Sequence, residues 1–402
     1  MKLFKNISQW LADVFRVWRR QIWLVFHDAG LMLFFFALPT AYPIVYSLIY
    51  NPEVVKEMPV AVVDHSRTSH SRELVRMLDA TEAARLYDYV ADMPEARRLM
   101  NEHKVVAILE IPDDYGKLIG SGRQAFTTFY MQMNLLLRYR TFVSALANLQ
   151  IAVGAKMQTR LVDQIGLPAQ GMQQMPVGNE AVMLGDPTQG FASFIMPGIV
   201  VLILQQSIVL GMCMLVGGRR ERLRRNGGVD PLAVDAPASA RIIGQLAMVV
   251  TLYMPVVFYI LHLVLRFFNF PTYGDAWQEF SFIVPFIVAS VFFGRCLGQL
   301  VTDRESSLLV VVCTSVFFLF LSGLTWPRFA MNGFWTLVSD CVPATWGIQG
   351  FININSAGGT LAQQSVFYWN LWGLAAAYFL LDLIFERLLG RRASLGVVRK
   401  SA

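Results

Sequence analysis

Charge is scarce in this 402-residue chain: 15% of it is Asp, Glu, Lys or Arg, whereas 55% is apolar and much of that comes in long runs. That balance excludes an ordinary soluble protein. The four cysteines, Cys213, Cys296, Cys313 and Cys341, all lie within or beside apolar runs, which argues against a disulfide framework and offers no metal-binding spacing. No Gly-x-x-x-x-Gly-Lys-Ser/Thr loop occurs, so the chain has no usual means of cradling nucleotide phosphates. His-Glu-x-x-His and Gly-x-Ser-x-Gly are missing too, and a cleaved signal peptide is not expected from an amphipathic amino terminus with a distant, long apolar core.

What is present is membrane-spanning sequence. A helix needs about 20 apolar residues to cross a hydrocarbon core of roughly 30 Å, and it satisfies its own backbone hydrogen bonds there. Six segments meet or nearly meet this test: 29–50, 190–218, 242–265, 280–301, 306–326 and 367–389. The expected fold class is therefore an α-helical polytopic membrane protein with six transmembrane helices and an inserted extracytoplasmic α/β domain.

Lys and Arg set the orientation. Five basic residues precede the first span, six lie between Arg219 and Arg241, one is Arg304, and five follow Phe385, against only Arg266 and Arg328 in the two short loops opposite. Both termini are expected in the cytoplasm, and the excess charge of +6 belongs to membrane topology rather than to nucleic-acid binding. The segment 51–189 then lies outside.

Residues 1–28 read as an amphipathic interfacial helix with Leu3, Ile7, Trp10, Leu11, Val14 and Trp18 on one face. In 51–189 strands are expected at Met58 to Val63, Arg85 to Val90, Val105 to Ile111 and Ala125 to Tyr130. Helices are expected at Ser66 to Asp79 and Pro94 to His103, followed by a long one from about Leu135 to Gln164 and a linker at Gly166 to Gly190. Alternating strands and helices imply a parallel or mixed sheet. A loop at 327–366, read as re-entrant, and a basic tail at 390–402 complete the chain.

Few residues carry chemistry. Arg295 stands within the fourth span, where a charge is a functional hypothesis by default; its place near the inner end lets it snorkel, and contact with cargo is the alternative. Asp382 and Glu386 share a helical face and read as a local charge cluster with Arg387. Gln205 and Gln206 sit mid-span, either as glue between helices or on a substrate path. His262 reads as interfacial. The segment 219–241 is the densest in charge, beginning Arg219-Arg220-Glu221-Arg222-Leu223-Arg224-Arg225-Asn226-Gly227-Gly228.

In this order the pieces resemble ABC-2 type export permeases of the branch with a large extracytoplasmic domain between the first two spans. Phe194 to Ile199 is similar to that family's Met-x-Pro-Gly element. Arg220-Glu221-Arg222 with Gly227-Gly228 is similar to its Arg-Glu-x-Glu-x-Gly-Thr element, though Leu223 or Arg224 stands where the second acidic residue is usual. Leu321 to Pro327, holding Ser322, Gly323 and Pro327, resembles its Ser-Gly-Phe-x-x-Pro signature, and Pro343-Ala344-Thr345 matches the Pro-x-Thr that follows.

The resemblance implies a transport subunit, not an enzyme, with Arg219, Arg220, Glu221, Arg222, Arg224, Arg225, Gly227 and Gly228 coupled to a cytoplasmic ABC ATPase through a short helix. It implies no cofactor in this chain, with ATP and Mg held by that ATPase. Further partners implied are a second permease copy or a related permease, membrane lipid and a periplasmic adaptor. The setting is the bacterial inner membrane and the cargo amphipathic, lipidic or drug-like. A membrane-anchored extracytoplasmic binding or sensor protein, and an intramembrane enzyme, are the rival readings.

Overall fold

The computed structural model describes residues 2–50, 55–121, 123–131, 136–165 and 190–400. The chain forms two compact units, Met1–Asn51 with Met183–Ala402, and Pro52–Val182. The linker expected between Gly166 and Gly190 lies, but for its last residue, outside the described residues.

The first unit opens with α1 (Lys2–Phe26) and α2 (Ala29–Tyr50). Asp28 caps α2: its carboxylate accepts the backbone N–H groups of Gly30 and Leu31 at 3.0 and 3.1 Å. An N-terminal acceptor satisfies donors that the helix leaves unpaired.

The second unit is an α/β layer structure. Its elements are β1 (Met58–Asp64), α3 (Ser69–Asp79), β2 (Ala84–Tyr89), α4 (Met93–Asn101), β3 (Ala107–Ile111), α5 (Tyr115–Gly120), β4 (Thr128–Met131) and α6 (Leu136–Ile165). The sheet order is β2-β1-β3-β4, with β1 parallel to both neighbours and β4 antiparallel to β3. Val60, Ala61, Val62 and Val63 of β1 are all fully buried. Helices cover both faces: Val60 and Val62 pack with Leu74 and Val75 of α3 and Phe142 of α6, and Ala61 and Val63 with Ala96 of α4. An unbroken apolar run is what a doubly covered parallel strand requires.

Back in the first unit follow α7 (Phe191–Arg225), α8 (Ala238–Phe267), α9 (Ala276–Gly298), α10 (Ser306–Leu321), α11 (Gly333–Asp340), α12 (Pro343–Asn355) and α13 (Ser365–Lys400). Among the described residues four helices, α2, α7, α8 and α9, are long and apolar enough to cross a membrane. The apolar α10 has 16 residues, which at 1.5 Å each gives about 24 Å. Segment 327–366 is largely helical: α12 buries Ala344, Thr345, Ile348 and Phe351, and its Gly347 and Gly350 face the rings of Phe286 and Phe282 on α9. The basic tail begins as a continuation of α13, which runs to Lys400.

One expectation about helices gains detail and another changes. The face of α1 that packs carries Trp10, Val14 and Val17 against Ala236 and Ala240, whereas Ile7 and Leu11 are 50% and 55% exposed. The apolar face of α1 is thus one stripe, packed along the edge that holds Trp10, Val14 and Val17 and exposed along the edge that holds Ile7 and Leu11. The break expected after Gly218 does not occur, because α7 runs on to Arg225. Glycines 217 and 218 lie inside the helix, and the reason at Gly217 is close approach: a side chain there would meet the backbone carbonyl of Asp303 at 2.8 Å.

Candidate functional site

Helix α7 has 35 residues and is about 52 Å long, well beyond a hydrocarbon core of roughly 30 Å. Its last two turns hold the basic run, and Asn226 with Gly227 and Gly228, both at positive φ, ends it. The charged side chains there divide into two sets. Arg219 donates to Glu386 at 2.6 Å, and Arg222 pairs with Asp230 at 2.8 Å. Arg220 donates to the carbonyl oxygens of Gln299 and Val301 and to the Gln299 side chain. Glu221 accepts the backbone N–H of Arg304 at 3.3 Å and pairs with Arg225 at 2.5 Å. Arg224 and Arg225 are the outward members, with side chains 62% and 75% exposed.

Arg295 does not snorkel. Its side chain is 2% exposed; Nε donates to Asp382 at 2.5 Å and Nη2 to Glu386 at 3.3 Å. Asp382 and Glu386 are therefore not merely a local cluster on α13. Glu386 also takes Arg241 of α8 at 2.9 Å, so one carboxylate ties α7, α8, α9 and α13 together. Burying a lone guanidinium is expensive, and paired acceptors are what make the position tenable. Sequence periodicity showed Asp382 and Glu386 on one face but carried no sign of which helix they meet.

A cavity of about 120 Å³ lies beside this network, bounded by α1, α7, α8 and the Asp28 cap of α2, with Arg304 paired to Asp28 at its rim. Burial pushes the Asp28 carboxyl up, but Arg304 and the two backbone donors outweigh it and hold the group below the usual carboxylate range.

Midway along α7, Gln205 is fully buried, yet neither amide atom of Gln205 nor of Gln206 has a hydrogen-bond partner among the described residues. Among the described residues no neighbouring helix takes these amides, so the glue reading finds no partner there. Gly294 of α9 lies against Val209, and Gly298 against Cys213 and Val216. One turn earlier on each helix, this register sets Ser290, itself buried and unpartnered, level with Gln205. Close by in sequence, Ser207 accepts Tyr253 Oη at 2.9 Å.

At the opposite end, the signature residues stitch α10 to α12. Ser322 is fully buried, Gly323 takes φ +80°, and Gln349 donates to the Ser322 carbonyl at 3.2 Å. Pro327 precedes a short 3-10 turn, and Pro343 occupies the first turn of α12, where its missing N–H is harmless. Gly198 of the Met-x-Pro-Gly element packs on Leu324, so two segments singled out separately in sequence touch. His262 is mostly buried, 3.9 Å from Glu279, which accepts from Asn355 at 2.9 Å; the sequence reading overlooked that carboxylate.

Residues 30–384 match the family model described as ABC-2 family transporter protein. No curated protein matches the chain. A family match over most of the chain makes it a permease of an ABC transporter: a multi-pass membrane subunit that works with a partner ATPase.

Proposed function

Because the chain belongs to the ABC-2 family of transporter proteins, we propose that it is the exporting half of a machine driven from the C-terminal end of α7. The observation that carries this reading is the pairing of a helix longer than the membrane with two largely exposed guanidiniums at its tip, Arg224 and Arg225, whose ion pairs to Asp303 and Glu221 leave most of each side chain open. Arginines of this kind suit an acidic groove on an ATPase. Movement of the groove would act on a rigid helix whose other polar contacts reach α8, α9 and α13, and so bias the bundle between two conformations. In this proposal Gly227 and Gly228 let the chain turn away beneath the docking surface, and Arg219, Arg220, Glu221 and Arg222 hold the tip to the bundle.

The chain then spans six times, with α10 and α13 as fifth and sixth spans and both termini in the cytoplasm of a bacterial inner membrane. The hairpin of α11 and α12 dips in from the outer side, and the unit Pro52–Val182 stands outside, where it hands cargo to a periplasmic adaptor. Two copies, or one copy and a related permease, form the path, closed twofold pairing being the commonest assembly. ATP and Mg belong to the ATPase. The cargo is amphipathic, lipidic or drug-like, and Gln205 and Gln206 offer it hydrogen bonds along an otherwise apolar route.

The test is charge reversal at the tip. Arg224→Glu with Arg225→Glu should insert and melt like the parent but lose both co-purification with its ATPase and stimulation of ATP hydrolysis. Unchanged capture and stimulation in a folded double variant would sink the assignment.

A further inference from the structure

Charges around the cavity between α1, α7 and α8 do not balance. Five arginines line it against three carboxylates. Adding Asp382 behind Arg295, and Arg220 with its neutral acceptors, makes six guanidiniums to four carboxylates. Glu386 alone serves three of them, Arg219, Arg241 and Arg295. Uncompensated cations in a partly enclosed site are unfavourable until an anion joins them.

Polar atoms without partners face the same place. Arg241 Nε is buried and unpaired, and so are the amide oxygens of Gln245 and Gln21, both lining residues. Gln245 as a whole is 9% exposed. A ligand that complements this lining is an anion that also carries hydrogen-bond donors. At about 30 Å³ per water, the volume of about 120 Å³ holds roughly four waters, or one tetrahedral oxyanion with little to spare.

We propose that this cavity binds the phosphate of a phosphate ester, with guanidinium forks on its oxygens and the glutamine carbonyls taking hydroxyl or ammonium donors next to it. A membrane lipid is the source that the surroundings favour. The cavity's own lining residues Val17, Leu24, Leu31, Met214 and Leu215 are apolar and offer surface to an acyl chain. The site rests on the export reading only for the leaflet involved.

The full-length chain, extracted from phosphatidylcholine vesicles with and without phosphatidylglycerol, is examined by native mass spectrometry for retained lipid, and its melting is followed with added inorganic phosphate. The parent should retain phosphatidylglycerol in preference to phosphatidylcholine. Arg241→Gln should reduce that preference by about tenfold or more, as expected for loss of a charge-assisted contact. Arg241→Lys should restore part of it. Gln245→Leu removes an unpartnered amide while leaving every ion pair in place, so it keeps the test open if Arg241→Gln fails to fold. Protection by inorganic phosphate without lipid retention, lost in the variants, would assign the site to a soluble phosphate. Equal retention of both lipids together with no response to phosphate, or parent-like behaviour of the folded variants, overturns the proposal. No step requires the ATPase, so failure here is separate from failure of coupling.

Discussion

Arg295 and Asp382 meet at 2.5 Å with side chains 2% and 0% exposed, although 87 residues separate them in the chain. With Glu386 they join α9 to α13 where sequence alone placed a snorkelling cation and a separate acidic pair. Because Glu386 also holds Arg219, a force on the tip of α7 reaches the last helix through a single carboxylate.

Removing one partner of this pair should be far worse than removing both. Arg295→Met leaves Asp382 buried and unpaired and is expected to destabilise by about 3–5 kcal/mol. Arg295→Met with Asp382→Leu should recover a substantial part of that loss. Thermal melting of the purified variants in one detergent measures the difference, and additive losses would contradict the pairing.

The amides of Gln205 and Gln206 should behave in the opposite way. A buried unpaired polar group costs about 1–3 kcal/mol, so Gln205→Leu is expected to melt at or above the parent temperature. If these amides contact cargo, the same variant loses cargo-stimulated ATP hydrolysis while basal hydrolysis persists. A fall in stability instead would show that the amide has a structural partner.

Gly198 and Leu324 make a steric pair. A Cβ at Gly198 would approach Leu324 Cδ1 at 2.8 Å, so Gly198→Ala should cost about 1–3 kcal/mol by overpacking. Leu324→Ala should relieve that clash, and a double-mutant cycle on melting temperature should give a favourable coupling.

Asp28 supplies a pH dependence with a definite sign. Its carboxyl is held below the usual value, so its contribution to stability is fully present above the unfolded value of about 3.9 and is lost as pH falls through the lower folded value. Asp28→Asn keeps a capping oxygen but not the charge facing Arg304. Its melting temperature should therefore fall less than the parent's on acidification below about pH 4. Identical acid profiles would mean that Arg304 does not stabilise the charged form.

Much of the local structure was legible in the chain itself. The strands of the α/β unit fall within a few residues of their expected places, since a doubly covered β1 must be continuously apolar and Thr68 caps α3 with Ser71 closing the box. The absence of a phosphate-cradling loop and the order of the family signatures pointed to a transport subunit, and the family match agrees. These are properties of residue type at short spacing. Covalent sequence records them directly.

Pairing between distant helices was decided only in three dimensions. Arg295 could be seen as a charge in an apolar run, but whether it reached water or a carboxylate depended on how α9 and α13 are set against each other. Likewise the basic run looked uniform in sequence, and folding divided it, turning Arg219, Arg220 and Arg222 toward the bundle and leaving Arg224 and Arg225 mostly exposed. Which side of a helix is covered depends on its neighbours, and no periodicity within one helix encodes where those neighbours stand.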